Sequence, residues 1–243
     1  MLDTFPCFSK QDVFLQAFDY SFDLSYFGFI VPLVLGARFV VLPSNLPKYL
    51  SVCRAIQKYR ITVSLLTPSM INYFEPYTEE LTFSSLKYSL FCGELFTEKH
   101  LEKWKKLTPD AEVYNMYGPT EATIFCSVFD CKDMKSKEGG VSIGKPFKST
   151  QFEILFDLND EVGELCISGK QLTNGYVNSA LNEERFFNND RGTFYRSGDL
   201  VSRDGDGDYF FHARKDDQIK IQGYRIELKE IELMVTRHFE VEA

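Results

Sequence analysis

The chain has 243 residues, 44% of them hydrophobic, enough to bury a core and to hold more than one structural unit. Its 23 Phe and 13 Tyr argue for a packed globular protein and against disorder. A net charge of -8 argues against nucleic acid or an anionic membrane as main partner, while a small anionic ligand held by local donors or a metal ion is compatible with it.

The opening MLDTFPCFSK has no basic region followed by an apolar run, so no secretory signal is expected. FDLSYFGFIVPLVLG (22–36) predicts a helix, capped at Asp23 or Ser25 and stopped at Gly36. The apolar stretch continues into ARFVVLP, expected as a buried strand, but its Gly and Arg and its short length exclude a membrane span. LPKYLSVCRAIQKYR has helical periodicity and ITVSLLTP reads as the next strand. KYSLFCG, TEKHLEKWKKL and AEVYNMYG repeat strand, helix, strand, which argues for a largely parallel sheet covered by helices. CKDMKSKEGG (131–140) suits a loop. Beyond it, QFEILFD, GELCIS, GTFYRSG, DLVSRDG and GDYFFHA are short strands between turn residues, the pattern of a compact antiparallel unit. Charged RKDDQ then precedes strand-like IKIQGY and a helical IELKEIELMVTRHF. The expected organisation is a partial α/β core over 1–135, a small antiparallel β-barrel-like subdomain over 136–215, and a hinge with the start of a C-terminal α+β domain over 216–243.

Six cysteines (Cys7, Cys53, Cys92, Cys126, Cys131, Cys166) form no CxxC pair and no metal spacing with the three His. They are expected as small buried hydrophobes in a reducing cytoplasm. DGDGD (204–208) has Tyr209 and Lys215 where a calcium loop needs Gly and Glu, so a hairpin is expected and calcium is not. YGPTE (117–121) brings an aromatic ring, a hydroxyl and a carboxylate to a tight turn after a strand. That set can stack on a base, bond a phosphate and hold Mg²⁺, or it is a plain turn with Thr120 capping the next helix. YRSGDL puts Asp199 in a turn between two strands, as a ribose ligand or an ordinary turn aspartate, and Arg214 is a second ribose contact or a surface charge. Asp23 either caps its helix or faces a pocket, where its carboxylate would pair a substrate ammonium.

In order, FDLS, FCGE, YGPTEAT, GELCISG, NGY, YRSGDL and RKDDQIKIQGYRIELKEIE resemble the core motifs of the adenylate-forming superfamily, over essentially the whole chain. The resemblance implies ATP and Mg²⁺ as cofactors and a carboxylate substrate converted to an acyl adenylate. It implies a nucleotide site of Cys92, Gly93, Glu94, Asn115, Met116, Tyr117, Gly118, Thr120, Asp199 and Arg214. Within it Tyr117 would stack on adenine, Thr120 would contact the α-phosphate, Glu121 would hold the metal, and Asp199 with Arg214 would bind the ribose. Thr120 and Glu121 are thus the catalytic pair by resemblance, and Asp216 is the hinge of domain rotation.

Asp23 matches the aspartate by which amino-acid-activating members hold the amine. The rest of the pocket would be Leu24, Phe27, Leu65, Leu90, Cys92, Met116, Ile124 and Phe125, apolar and bulky enough to favour a small side chain. FCGE and DDQIKIQGYRIELKEIE are most similar to D-alanine–D-alanyl carrier protein ligases, although Met116 stands where those carry a smaller polar residue. The expected function is therefore adenylation of a small amino acid, D-alanine first, and its transfer to the phosphopantetheine of a carrier protein. The alternatives are a peptide synthetase adenylation domain for another small residue, a non-catalytic nucleotide- or carrier-binding paralogue, and an acyl-CoA-type ligase. The family's phosphate-loop lysine and its C-terminal lysine lie outside these motifs, so the chain alone is expected to be inactive, with an exposed sheet edge and apolar surface that favour association.

Overall fold

The computed structural model describes residues 8–43, 45–156, 161–221 and 224–239. Strand β1 (Val13–Gln16) leads into α1 (Leu24–Leu35), which stops at Gly36 in the left-handed conformation. The cap differs from expectation: Asp23 precedes α1 but its carboxylate accepts no helix N–H, and Ser25 lies inside the helix. Then come β2 (Arg38–Val41), α2 (Lys48–Tyr59), β3 (Val63–Leu66), α3 (Met70–Phe74) and β4 (Tyr88–Phe91). Helix α4 (Glu98–Leu107) begins at Thr97, whose hydroxyl accepts the His100 amide at 3.2 Å, and β5 (Glu112–Tyr117) follows it.

The expected parallel sheet is present, in the order β2-β1-β3-β4-β5. Strand β6 (Ser127–Asp130) runs antiparallel to β5. The segment expected as a loop holds one turn of 3₁₀ helix (Cys131–Asp133) and a small ribbon of β7 (Ser136–Lys137) with β8 (Gly140–Val141). Strand β9 (Lys145–Pro146) then returns to β6, so the first sheet draws on residues from both sides of position 135. A second correction concerns β2. It is the sheet's edge and is half-exposed, because the chain steps outward from β1 and then crosses back to place β3 on the other side.

The inner strands are buried on both faces, and their period of two divides the core. Val13, Leu15, Leu66, Phe91 and Val113 face α2, α3 and α4 with Ile56, Phe74 and Trp104. Phe14, Val63, Leu65, Leu90 and Met116 face α1 with Leu24, Phe27 and Val31. The order β2-β1-β3 makes a reversal point, and the carboxyl edge of the sheet beside it is where open α/β folds bind ligands.

The antiparallel unit is a five-stranded sheet of β10 (Thr150–Leu155), β11 (Gly163–Gly169), β12 (Phe186–Asn189), β13 (Gly192–Arg203) and β14 (Tyr209–Arg214), with the short α5 (Asn182–Arg185) before β12. Here GTFYRSG and DLVSRDG form one twelve-residue strand where two were expected. Gly198 takes a φ of +75° and bends β13 without ending it, and Asp199 pairs with Arg214 of β14 inside the ladder. Asp204 to Asp208 form the expected hairpin, closed on Lys135, whose ammonium reaches Asp206 and Asp208 at 2.7 Å and Asp204 at 3.2 Å. The last described elements are the ribbon β15 (Gln218–Ile221) with β16 (Tyr224–Glu227), then α6 (Leu228–Phe239).

Among the described residues no helix is long and apolar enough to cross a membrane. Cys92, Cys126, Cys131 and Cys166 are buried free thiols and Cys53 is half-buried, while Cys7 lies outside the described residues.

Candidate active site

A cavity of 340 Å³ opens where the carboxyl ends of β4 and β5 meet β13, β14 and β15. Cys92, Gly93, Glu94, Asn115, Met116, Tyr117, Gly118, Asp199 and Arg214 line it, nine of the ten residues expected at the nucleotide. Thr120, the tenth, is exposed and lines an adjoining pocket of 90 Å³ together with Asp23, Leu24 and Cys92. The two cavities share Cys92, Gly118, Asp199 and Arg214, so they are neighbouring chambers of one cleft.

Asp199 is the electrostatic centre of the larger chamber. Its Oδ2 accepts from the Tyr117 hydroxyl at 2.5 Å and its Oδ1 from Arg214 Nη1 at 2.8 Å. Burial and the neighbouring Asp199 charge push the Tyr117 phenol well above its ordinary range, so it remains a donor. Arg214 also grips Asp216 through Nε at 2.9 Å and Nη2 at 2.7 Å, and donates to the Ser197 carbonyl at 2.6 Å. Burial opposes the guanidinium charge, but the Asp216 and Asp199 carboxylates outweigh it and raise the pKa. Arg214 is therefore no free surface charge. It joins the expected ribose carboxylate to the expected hinge.

The turn after β5 depends on Gly118. A Cβ there would stand 2.5 Å from the Ile124 carbonyl and 2.8 Å from Phe125 Cα, both backbone atoms that cannot swing away. Pro119 leads into a single 3₁₀ turn, Thr120–Ala122, which Thr120 does not cap. Thr123 and Ile124 follow at φ of 55° and 70°, strained for β-branched residues. Two expected ligands are tied elsewhere: Asn115 donates to the Val141 and Ser142 carbonyls at 3.3 and 2.9 Å, and Glu94 accepts from the Ser69 amide at 2.8 Å.

The expected substrate residues fall in one layer, on the α1 side of the sheet, though not all of them reach a cavity. Phe27, Leu65, Leu90 and Phe125 are fully packed and Ile124 lies against them, while Asp23, Leu24, Cys92 and Met116 border the chambers. Burial pushes the Cys92 thiol up to about 12, with Lys220 pulling the other way, so Cys92 acts here as a small neutral wall.

Glu121, the expected metal ligand, is buried with 7% exposure and lines neither chamber, and its Oε1 accepts from the Tyr176 hydroxyl at 2.6 Å. Among the described residues no group of three His, Cys, Asp or Glu stands ready for a metal. That donor set fits an ion held by one carboxylate and the ligand's own phosphates, a mode Mg²⁺ favours, and does not fit an all-protein cage.

The match that decides the family runs over residues 1–177, to AMP-binding enzymes. The chain belongs to that family. Among AMP-binding enzymes it is 34% identical over 247 residues to zwittermicin A synthase ZmaJ of Bacillus cereus, an alignment covering 96% of this chain and 47% of that protein. It is also 34% identical to surfactin synthase subunit 3 of Bacillus subtilis (strain 168), covering 94% of this chain and 19% of that protein. The Vibrio cholerae adenylation domain AlmE, solved with glycyl-adenosine-5'-phosphate, matches at a TM-score of 0.90 and 33% identity, covering 100% of this chain and 48% of that one. The chain thus spans about half the length of ZmaJ and of AlmE.

Several residues at the cleft of this AMP-binding enzyme escaped the sequence reading. Gln218 and Lys220 border both chambers from β15, and Phe211 borders the larger one from β14. Tyr176 lay within the quoted NGY motif, but its polar tip was the only signal and it pointed to no partner.

Proposed function

We propose that this chain is the substrate- and nucleotide-recognising part of a ligase that adenylates a small amino acid, D-alanine first, and hands it as a thioester to a carrier-protein phosphopantetheine. The observation that carries the reading is the joined pair of chambers, the smaller lined by Asp23 and the larger by Tyr117, with Asp199 and Arg214 lining both. A carboxylate at the wall of a 90 Å³ pocket suits a substrate ammonium, and the volume disfavours long or aromatic side chains.

In this reading the substrate carboxylate oxygen attacks the α-phosphorus of ATP, the bond to the β-phosphate breaks, and pyrophosphate leaves. Asp199 and Arg214 orient the ribose, Tyr117 stacks on the base, Thr120 meets the α-phosphate, and Glu121 supplies the carboxylate for Mg²⁺. When bound, that ion neutralises charge on the phosphates. The contribution of the chain's residues is positioning and fixed charge.

A glycine or L-alanine specificity of the peptide-synthetase kind is the second reading, supported for glycine by the glycyl adenylate bound to AlmE. Calorimetric titration with non-hydrolysable glycyl, D-alanyl and L-alanyl sulfamoyl adenosines separates the two. The D-alanyl compound is expected to bind at least tenfold tighter than the others, and Asp23→Asn to abolish that gain over sulfamoyl adenosine alone. Preference for glycyl or L-alanyl would move the assignment to the second reading. No gain from any aminoacyl group would remove amino acids as the substrate class.

A further inference from the structure

The strained loop after β5 is held from outside by a segment with no assigned role. Gln171 Nε2 donates to the Ala122 carbonyl at 2.8 Å and to the Phe125 carbonyl at 2.7 Å. Thr123 Oγ1 returns a bond to the Gln171 carbonyl at 2.5 Å, and the Thr173 amide donates to the Glu121 carbonyl at 2.8 Å. Tyr176 completes the set with its bond to the Glu121 carboxylate, and the Tyr195 hydroxyl lies 3.4 Å beyond.

Packing does not demand these polar groups. The Tyr176 ring meets Phe186 edge-on at 5.9 Å, a contact that a Phe would keep, so what the hydroxyl adds is its hold on Glu121. Both amide hydrogens of Gln171 go to carbonyls on either side of Thr123 and Ile124, at φ of 55° and 70°. Strained backbone of this kind persists where its surroundings over-determine it. A carboxylate that must meet a metal and a phosphate needs an oriented support, as metal-ligating carboxylates generally have.

We propose that Gln171 and Tyr176 are positioning residues, a clamp reaching from the loop after β11, in which Gln171 holds the backbone of 122–125 and Tyr176 aims the Glu121 carboxylate at the Mg²⁺–phosphate position. The metal half of this rests on the adenylating reading, whereas the clamp on the loop does not.

Two measurements on the 243-residue chain test it. In amide hydrogen exchange, Gln171→Met is expected to speed exchange at residues 121–126 at least tenfold while β11 and β13 keep their rates. Unchanged exchange in the loop, or an equal acceleration throughout the chain, would overturn the clamp. In titration with ATP, Tyr176→Phe is expected to leave affinity in EDTA within twofold of the parent chain and to lose at least tenfold of the gain that Mg²⁺ confers. A purely structural tyrosine would weaken both conditions alike or neither, and either result overturns its aiming role. If the parent chain binds no nucleotide in either condition, the adenylating reading and the aiming role fall together, and the exchange result still decides the clamp.

Discussion

Asp12 lies at the start of β1 with 1% exposure, among hydrogen bonds from the Ser9 amide at 2.8 Å, the Thr62 hydroxyl at 2.9 Å and the Lys87 ammonium at 3.1 Å. Burial alone would raise its pKa, but the bonds from Ser9, Thr62 and Lys87 outweigh burial and leave it below the ordinary value. A carboxyl whose folded pKa is depressed contributes stability above its unfolded pKa of about 3.9 and loses it as pH falls through the folded value. Asp12→Asn is therefore expected to cost about 1–3 kcal/mol at pH 7, with the gap to the parent chain closing below about pH 4. Urea melts at pH 7 and pH 3 measure this, and a gap that stays constant would show that the charge contributes nothing. Asp23 is the contrasting case: it stands at a helix start, makes no cap, and lines the smaller chamber.

At the level of elements, β13 matters most to the site. Gly198 sits at φ +75°, and a Cβ there would come within 2.8 Å of Arg214 Nη2 and 3.2 Å of Asp216 Oδ2. The bend it permits lets one strand cross the sheet and still present Asp199 to both Tyr117 and Arg214. Gly198→Ala is expected to destabilise the chain by about 1–2 kcal/mol through the left-handed backbone alone. It also displaces the guanidinium, so adenosine affinity is expected to fall together with stability. Chemical denaturation and calorimetry read the two effects, and an unchanged adenosine affinity would detach the Arg214 network from ribose binding. The sequence placed a turn at this glycine because Gly–Asp in isolation is turn chemistry, and only pairing with β11 and β14 makes the segment a continuous strand.

Across the whole molecule, the charged and apolar surfaces are unevenly shared. Helix α1 buries Leu24, Phe27 and Val31 but leaves Tyr26, Ile30, Leu33 and Val34 at 43–66% exposure, and the β2 edge beside it exposes Val41. An apolar helix face next to a strand edge that no other described strand pairs with favours association. The chain is therefore expected to self-associate at micromolar concentration, and the pair Leu33→Lys with Val34→Glu to raise the concentration required at least tenfold. Sedimentation velocity across a dilution series checks this, and identical behaviour of the two chains would place the sticky surface elsewhere. The C-terminal ribbon closes over the cleft from the other direction, with Tyr224 edge-on to Phe22 at 4.9 Å.

What the sequence by itself determined is the local and the periodic. Helices α1, α2 and α4 and strands β3, β4 and β5 follow from apolar spacing, with a Gly stop at the end of α1. The ordered motifs from FDLS to NGY lie within the stretch that matches the family, and each is a short run whose backbone geometry and chemistry are set by near neighbours. Tertiary structure alone decided that β2 is an edge, that β13 runs unbroken through Gly198, that Arg214 joins Asp199 to Asp216, and that Tyr176 reaches Glu121 from 55 residues away. Those contacts arise from strand order and from the packing of one sheet beside another, and hydrogen bonds across such distances leave no periodic trace in the chain that makes them.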